Sequence, residues 1–193
     1  ERVSIIIPVV RPESAKRCVE AIKARAGVPR DQYEIVTAYD VHQVGCPEMV
    51  RKLTNETSYD WVMFLGDDTE PEQDFLKHAI DASDTLLFGG VVGLNTQDDR
   101  PGAQHNDRAH WMAHKSMLEL IDGDNFFSTE YRHCWCDDEL KDIAVENDFW
   151  TFAEKARIKH HHPINGNAPD DAAYGRAYSQ EAQGHDYKTY LTR

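Results

Sequence analysis

The chain predicts an α/β fold, a mixed, mostly parallel sheet flanked by helices within a single domain. Three observations predict it. The first is the opening run Val3-Ser4-Ile5-Ile6-Ile7-Pro8-Val9-Val10, β-branched along most of its length, as a strand covered on both faces requires. The second is alternation. Strand-like runs at 3–10, 33–39 and 60–65 are separated by stretches whose apolar residues recur at helical spacing, the pattern of right-handed parallel crossovers. The third is Trp61-Val62-Met63-Phe64-Leu65, an apolar run that stops at Gly66 and two adjacent carboxylates, Asp67 and Asp68. Open α/β sheets gather ligands at the carboxyl ends of their strands. Two neighbouring acids there repel one another and cap no strand, but they suit a hard divalent cation with a phosphate behind it. The plainer alternative, an Asp N-cap for a helix opening at Pro71, accounts for one acid and not for the pair.

The elements follow in order. Pro8 implies that the first strand stops pairing near its end. Ala15, Cys18, Val19 and Ile22 mark a helix over 13–26, closed by Gly27-Val28-Pro29. The second strand, 33–39, ends at Asp40. A helix is predicted over 47–57, the third strand over 60–65, and a helix over 71–82 with Phe75, Leu76, Ala79 and Ile80 on one face. A fourth strand over 85–94 is interrupted by Gly89-Gly90, where backbone approaches a ligand or bulges. Residues 95–107 are polar and turn-rich and read as a mobile loop; 110–121 reads as a helix or mixed segment. A helix over 137–149 buries Leu140, Ile143 and Ala144, a short strand covers 156–160, and a last helix covers 170–182. There is no internal repeat and no low-complexity tract.

Composition narrows the function classes. A length of 193 residues suits one domain with its own core. The net charge of −13, from 21 basic and 34 acidic residues, argues against non-specific nucleic-acid binding and against adhesion to anionic lipid. A nucleotide ligand stays compatible, because a bound metal reverses the local field. No apolar run approaches the ~20 residues that span a bilayer, and no signal-peptide pattern opens the chain, although it begins without Met. Cys18, Cys46, Cys134 and Cys136 lack the spacing of a disulfide framework, so a reduced, cytoplasmic setting is expected.

Three chemistry-bearing features stand in a fixed order: a β–α–β start ending at Asp40, the strand ending at Asp67-Asp68, and the later Cys136-Asp137-Asp138-Glu139-Leu140. That order resembles the family 2 glycosyltransferases, which have the GT-A (Rossmann-like) fold, and the resemblance covers most of the chain. Ser4-Ile5-Ile6-Ile7-Pro8 is similar to that family's first strand. Glu34-Ile35-Val36 through Asp40 is similar to the second strand and its base-recognising acid. Phe64 to Pro71 looks like the strand that ends in an Asp-x-Asp-type metal motif. His160-His161-His162-Pro163 is similar to a histidine segment that completes the metal site, and His110-Trp111 resembles part of the sugar or acceptor pocket.

The resemblance implies nucleotide contacts from Pro8, Asp40 and Asp67, and a Mn²⁺ or Mg²⁺ ion on Asp68 with His160 or His162. It implies a catalytic base at Asp137, with Asp138 in reserve. Residues 1–95 would then bind the nucleotide sugar and 96–193 would supply the acceptor and catalytic half. The implied activity is inverting, metal-dependent transfer of a sugar from a nucleotide-diphosphate donor, UDP-sugar by default, to a hydroxyl acceptor. A nucleic-acid acceptor fits the charge least. Departures from the pattern are Gly66 where an acid often stands, Lys141 and Asp142 in place of an arginine after the late acidic motif, and a short carboxyl half.

Plainer readings stand beside these. Asp40 can simply form a turn, and Asp137 and Asp138 can be acids favoured at a helix N-terminus. Alternation along a strand lets at most His160 and His162 share a face. Cys134 and Cys136 with His160 and His162 make a rival zinc set, though the spacing is tight. Trp111 reads equally as core. Arg51 and Lys52 read as a solvated helix face, and Arg100 as a cation that closes over a pyrophosphate. Two rival functions remain, a nucleotidyltransferase and a non-catalytic nucleotide-sugar-binding module. The first wants a Gly-rich loop where this chain has Val9-Val10-Arg11-Pro12-Glu13-Ser14.

Overall fold

The computed structural model describes residues 1–86, 89–97 and 106–193. It begins with β1 (Val3–Val9), buried along nearly its whole length. Helix α1 (Pro12–Arg25), with Pro12 in the first turn where a missing N–H costs nothing, leads to β2 (Tyr33–Tyr39). Helix α2 (Cys46–Asn55) leads on to β3 (Trp61–Phe64). Both strands pair parallel with β1, one on each side.

Beyond this βαβαβ start lie β4 (Thr69–Pro71), α3 (Phe75–Ser83), β5 (Val91–Gln97), β6 (Trp111–His114) and the short α4 (Leu118–Ile121). They are followed by α5 (Cys136–Glu146), β7 (Trp150–His160), α6 (Ala172–Ala177) and α7 (Gln180–Thr192). The seven strands form one sheet in the order β2-β1-β3-β6-β5-β7-β4. Five strands run one way; β6 and the edge strand β4 run against them. The sheet is therefore mixed and mostly parallel, as expected.

Strand alternation sorts the core into two layers. Ile5, Ile7, Met63, Leu65 and Met112 face a layer with Cys18 and Ile22 of α1 and Phe75, Leu76 and Ala79 of α3. Ile6, Val62, Phe64, Trp111 and Ala113 face the other, with Val50 and Leu53 of α2, Leu140 of α5, and Phe126 and Phe127. Fully burying one such side chain is worth about 1.5–3 kcal/mol.

Several elements differ from expectation for clear physical reasons. The helix expected from Pro71 begins at Phe75, after Asp74 at φ 61°, because Pro71 lies in β4. An edge strand tolerates proline's missing N–H, and the N-cap reading of Asp67 or Asp68 falls with it. The fourth strand lies later than 85–94: β5 carries Asn95 and Thr96, both buried, into the expected loop. Residues 98–105 of that loop, including Arg100, lie outside the described residues, and Asn106 bridges back to Thr96. The mixed segment at 110 resolves into antiparallel β6, a 3₁₀ turn and α4. Strand β7 is twice as long as expected because its solvent face carries Glu154, Lys155, Arg157 and Lys159. The tail helix is broken in two at Ser179, whose hydroxyl accepts from the Ala182 N–H as the cap of α7. Among the described residues no helix is long and apolar enough to cross a membrane.

Candidate functional site

Topology decides where the polar residues meet. The carboxyl ends of β1, β2, β3, β5 and β7 and the amino end of antiparallel β6 lie along one edge of the sheet. That edge therefore gathers Arg11, Asp40, Asp67-Asp68, His110 and His160. A groove of about 600 Å³ lies at the opposite edge, lined by Arg2, Tyr59, Trp61 and His114 among others, and none of the chemistry-bearing residues singled out from the sequence is there.

The two acids after β3 have different environments. Asp67 is buried and anchored: Oδ2 accepts from the Val10 and Arg11 amides at 2.8 and 2.6 Å, and Oδ1 lies 3.1 Å from Arg11 Nη1. Burial and the charge of Asp68 push its carboxyl up, and the Val10 and Arg11 contacts offset part of that. Asp67 thus meets protein groups where a nucleotide contact was expected. Asp68 points the other way. Its Oδ2 accepts from the Tyr174 hydroxyl at 2.5 Å, and its Oδ1 lies 3.4 Å from His160 Nε2. Burial raises this carboxyl, but the hydrogen bonds and charge of His160 and Tyr174 outweigh burial and hold it well below the usual range. Gly66 is there for space. A Cβ would lie 2.7 Å from Asp68 Oδ1 and in ordinary contact with His110 Nε2 at 3.4 Å, so a side chain at this position would displace the Asp68 carboxylate.

The antiparallel register of β4 and β7 pairs Thr69 with His160, and the His161 amide donates to the Asp68 carbonyl at 2.9 Å. His160 and His162 fall on one side with ring centroids 5.1 Å apart, and His110 meets His160 edge-on at 5.1 Å. His161 points away, to Glu70. His110 Nδ1 is bonded to Thr96 Oγ1 at 2.9 Å. Burial and then His160 push His110 down to about 3 and His162 to about 4, so both are neutral imidazoles. His162 Nε2 is buried with no hydrogen-bond partner among the described residues.

Asp40 closes the β2 end of the edge. Its oxygens accept from the Val44 and Gly45 amides at 2.8 and 3.0 Å, and its own amide donates to Val9 O at 2.9 Å, next to half-buried Pro8. The turn-forming reading of Asp40 describes this state. Asp137 and Asp138 occupy the first turn of α5. Asp138 is ion-paired with Arg108, and half-buried Asp137 is pushed up to about 6 by burial and by Asp138. One thiol ties these acids to a common space. Burial raises Cys46, and the charges of Asp137, Asp40, Asp67 and Asp68 raise it further. The Tyr178 hydroxyl, raised first by burial, likewise feels Asp137 and Asp68. The charges of the β3 acids and of Asp137 thus all reach Cys46, while the small pocket beside Asp67 and Asp68 is lined by Ser14, Arg17, Thr69, Glu70 and His161.

Some expected contributors lie elsewhere. Trp111 is wholly buried against Phe64, Phe126 and Phe127. Alternation turns it to the core while His110, one residue earlier, faces the site, so Trp111 cannot stack on a sugar. The zinc set fails: Cys136 is core and its thiol meets the His133 carbonyl, while Cys134 meets the Ala177 carbonyl. Arg51 pairs with Glu48 and Asp124 on an exposed face.

Sequence reasoning missed Arg11, Tyr174, Tyr178 and Asp186. Arg11 was legible as a cation directly after β1, facing the acids; the others come from a tail with weak periodicity. Asp186 of α7 is fully buried and accepts from the amides of Arg132, His133 and Cys134 at 2.8–2.9 Å. It thereby holds the loop that turns through Trp135, at φ 67°, into α5.

Among the described residues no three His, Cys, Asp or Glu side chains are placed together to hold a metal. Asp68 and His160 are a two-donor start, and the unpartnered His162 Nε2 lies beside them. One carboxylate and one imidazole fit Mn²⁺ or Mg²⁺ when phosphate oxygens and water complete the shell. Asp40, Asp67, Asp68 and Asp137, whose charges all reach Cys46, also outnumber the Arg11 guanidinium, which favours a cationic guest.

No family model and no curated protein matches the chain. Solved structures do. The mannosyltransferase PcManGT from Pyrobaculum calidifontis, in complex with GDP-Man and Mn²⁺, aligns at TM-score 0.69 and 14% identity over 100% of this chain and 64% of that one. TarS 1–349 from S. aureus in complex with UDP aligns at TM-score 0.64 and 14% identity over 82% of this chain and 60% of that one. The same protein in complex with UDP-GlcNAc gives 0.64 and 14% over 88% and 62%. The chain spans less than two thirds of the length of each of these three. At this identity the likeness establishes the fold, which is one shared with solved glycosyltransferases.

Proposed function

We propose that the protein is a glycosyltransferase of the family 2 type, moving a sugar from a nucleoside-diphosphate donor to a hydroxyl acceptor with inversion, with Mn²⁺ or Mg²⁺ as cofactor. The observation that supports this reading is the Asp68–His160 pair after β3, 3.4 Å apart, with Asp137 near enough for its charge, like that of Asp68, to act on Cys46, within a fold shared with solved glycosyltransferases.

The chemistry follows from the two acids. A nucleotide sugar is a poor donor until the charge growing on its departing diphosphate is offset. Asp68 and His160, with His162 beside them, would hold the ion, which supplies Lewis-acid stabilisation when bound. Asp68 stays ionised across the useful pH range and suits a cation. Asp137, raised to about 6, is ionised at neutral pH yet basic enough to take a proton. The acceptor hydroxyl gives its proton to the Asp137 carboxylate as its oxygen bonds to the anomeric carbon, and the carbon–oxygen bond to the diphosphate breaks. One displacement from the face opposite the leaving group inverts the centre. Asp40 would recognise the base after its turn at Val44 and Gly45 rearranges, and His110 would border the donor sugar. Residues 1–95 would bind the donor and 96–193 supply the base. The neighbours' ligands keep both UDP- and GDP-sugars open as donors.

A nucleotidyltransferase reading is weaker, because Asp67 already occupies the Val10 and Arg11 amides that a triphosphate after β1 would need. The test is a thermal-shift screen of nucleoside diphosphates with and without Mn²⁺. One base should stabilise the protein in a metal-dependent way, by about 2.7 kcal/mol at a hundredfold excess over Kd. Absence of any shift with UDP or GDP plus metal would sink the proposal.

A further inference from the structure

Arg11 is held between two sets of acids with unequal grips. Its Nη1 lies 3.1 Å from Asp67 Oδ1 and 3.9 Å from Asp68 Oδ2, on the buried side. On the outer side, Nε and Nη2 meet both oxygens of Asp171, at 2.7 and 3.3 Å. The guanidinium also stacks on the Tyr174 ring, 3.8 Å from its centroid. The Asp171 side chain is 38% exposed against 4% for Asp67. The outer contact is thus the shorter and two-pronged one, but also the solvent-screened one that an incoming anion can reach.

Two oxygens on the guanidinium fork is an arrangement that a phosphate takes as readily as a carboxylate. The same short segment also sends the Tyr174 hydroxyl to Asp68 Oδ2. Residues 171–174 therefore sit where an anion would meet Arg11 and cover one oxygen where a cation would meet Asp68. We infer that Arg11 is the residue that receives the donor's diphosphate, and that Asp171 and Tyr174 hold its seat until the donor displaces them. The inference rests on the glycosyltransferase reading and deepens it. It also supplies the phosphate-facing cation that the stretch after the late acidic motif lacks.

The segment is built to leave. Helix α6 has six residues, Gly166 before it is at φ 71° with open space around it, and Ser179 caps a separate helix after it. Helix α7 has its own ties, through Asp186 to the 132–134 amides and through Arg193 to Glu139. The segment meets the 132–134 loop at its far end, where the Ala177 carbonyl accepts from Cys134 Sγ and Tyr178 packs on His133, so the movement inferred is confined to residues 171–174. Arg11 keeps its charge throughout: burial opposes it, but Asp171, Asp67 and Asp68 more than compensate.

The test is calorimetry of UDP and GDP with Mn²⁺ on the wild type, Asp171→Ala, Arg11→Ala and Arg11→Lys. Asp171→Ala should bind the diphosphate about threefold tighter, the exchange of one exposed ion pair. Arg11→Ala should bind on the order of tenfold weaker or worse, with Arg11→Lys in between because it keeps the charge and loses the fork. Because Arg11 also braces Asp67 and Asp171 caps α6 through the Ala173 and Tyr174 amides, thermal melts of all the variants report whether the fold survives, and Asp171→Asn, which keeps a capping oxygen and loses the charge, should match Asp171→Ala in tighter binding. Unchanged or weaker binding by Asp171→Ala overturns the inference and leaves the glycosyltransferase reading intact. A wild type that binds neither nucleotide with metal overturns both.

Discussion

The Asp67-Asp68 pair at the end of β3 and the Asp137-Asp138 pair in the first turn of α5 are built alike and polarised oppositely. In each, one acid is anchored to the scaffold: Asp67 to the Val10 and Arg11 amides, Asp138 to Arg108. The other takes its acidity from a different set of neighbours. Asp68 has little contact with solvent, yet His160 and Tyr174 hold it well below the ordinary range, whereas Asp137 rises to about 6 from burial and the adjacent Asp138. A cation site needs a carboxylate that never takes a proton, and a base needs one that does so near neutral pH. The difference between the pairs lies in their neighbours, since the residues are the same.

The comparison breaks most visibly at Asp68. Asp68→Ala should abolish metal-dependent nucleotide binding and lower transfer by on the order of 10³ or more, and it should also lower the melting temperature, because the Tyr174 and His160 contacts are lost. Asp137→Asn should lower kcat about 10²–10⁴-fold and leave the donor Kd nearly unchanged. Initial rates beside calorimetry separate the two effects. A near-normal kcat in the Asn variant would move the base role away from Asp137.

Asp67→Asn tests the anchoring half of the claim. It weakens the contacts from two amides and a guanidinium, but because burial and Asp68 push the Asp67 carboxyl up, loss of the buried charge offsets part of that, and the net cost should be about 1 kcal/mol in urea unfolding. Nucleotide binding should follow that loss through misplacement of Arg11. A stable Asp67→Asn protein with impaired binding would instead give Asp67 a direct nucleotide role.

The first half of the fold was legible because its strands are buried on both faces and its helices carry periodic apolar stripes, so that Ile5, Met63 and Ile22 announce their surroundings. The second half was harder. Strand β7 hides behind the charged residues of its solvent face, and Pro71 suggested a helix start while serving an edge strand. The acids at strand ends were legible from the pattern of apolar runs. Which acid of a pair is anchored was not, because it depends on amides and on Arg108, distant in sequence. The same holds for Tyr174, 106 residues from the Asp68 it contacts, and for Trp111, whose facing only the strand register decides.

A pH-dependent effect of similar size is the sharpest check on the polarity of the second pair. Asp137 titrates at about 6 in the folded protein against an ordinary 3.8, so the folded state holds the proton more tightly than the unfolded chain. Stability therefore falls as pH rises from about 4 to about 6 and stays lower above that. The distance between those two titration points sets a ceiling near 3 kcal/mol, which solvent screening at a half-buried site reduces to about 1–2 kcal/mol. Asp137→Asn carries no such titration, so relative to wild type it should gain that amount in urea unfolding at pH 7.5 and almost nothing at pH 4. Parallel wild-type and variant curves across that range would make Asp137 an ordinary first-turn acid, and the two pairs would no longer be opposites.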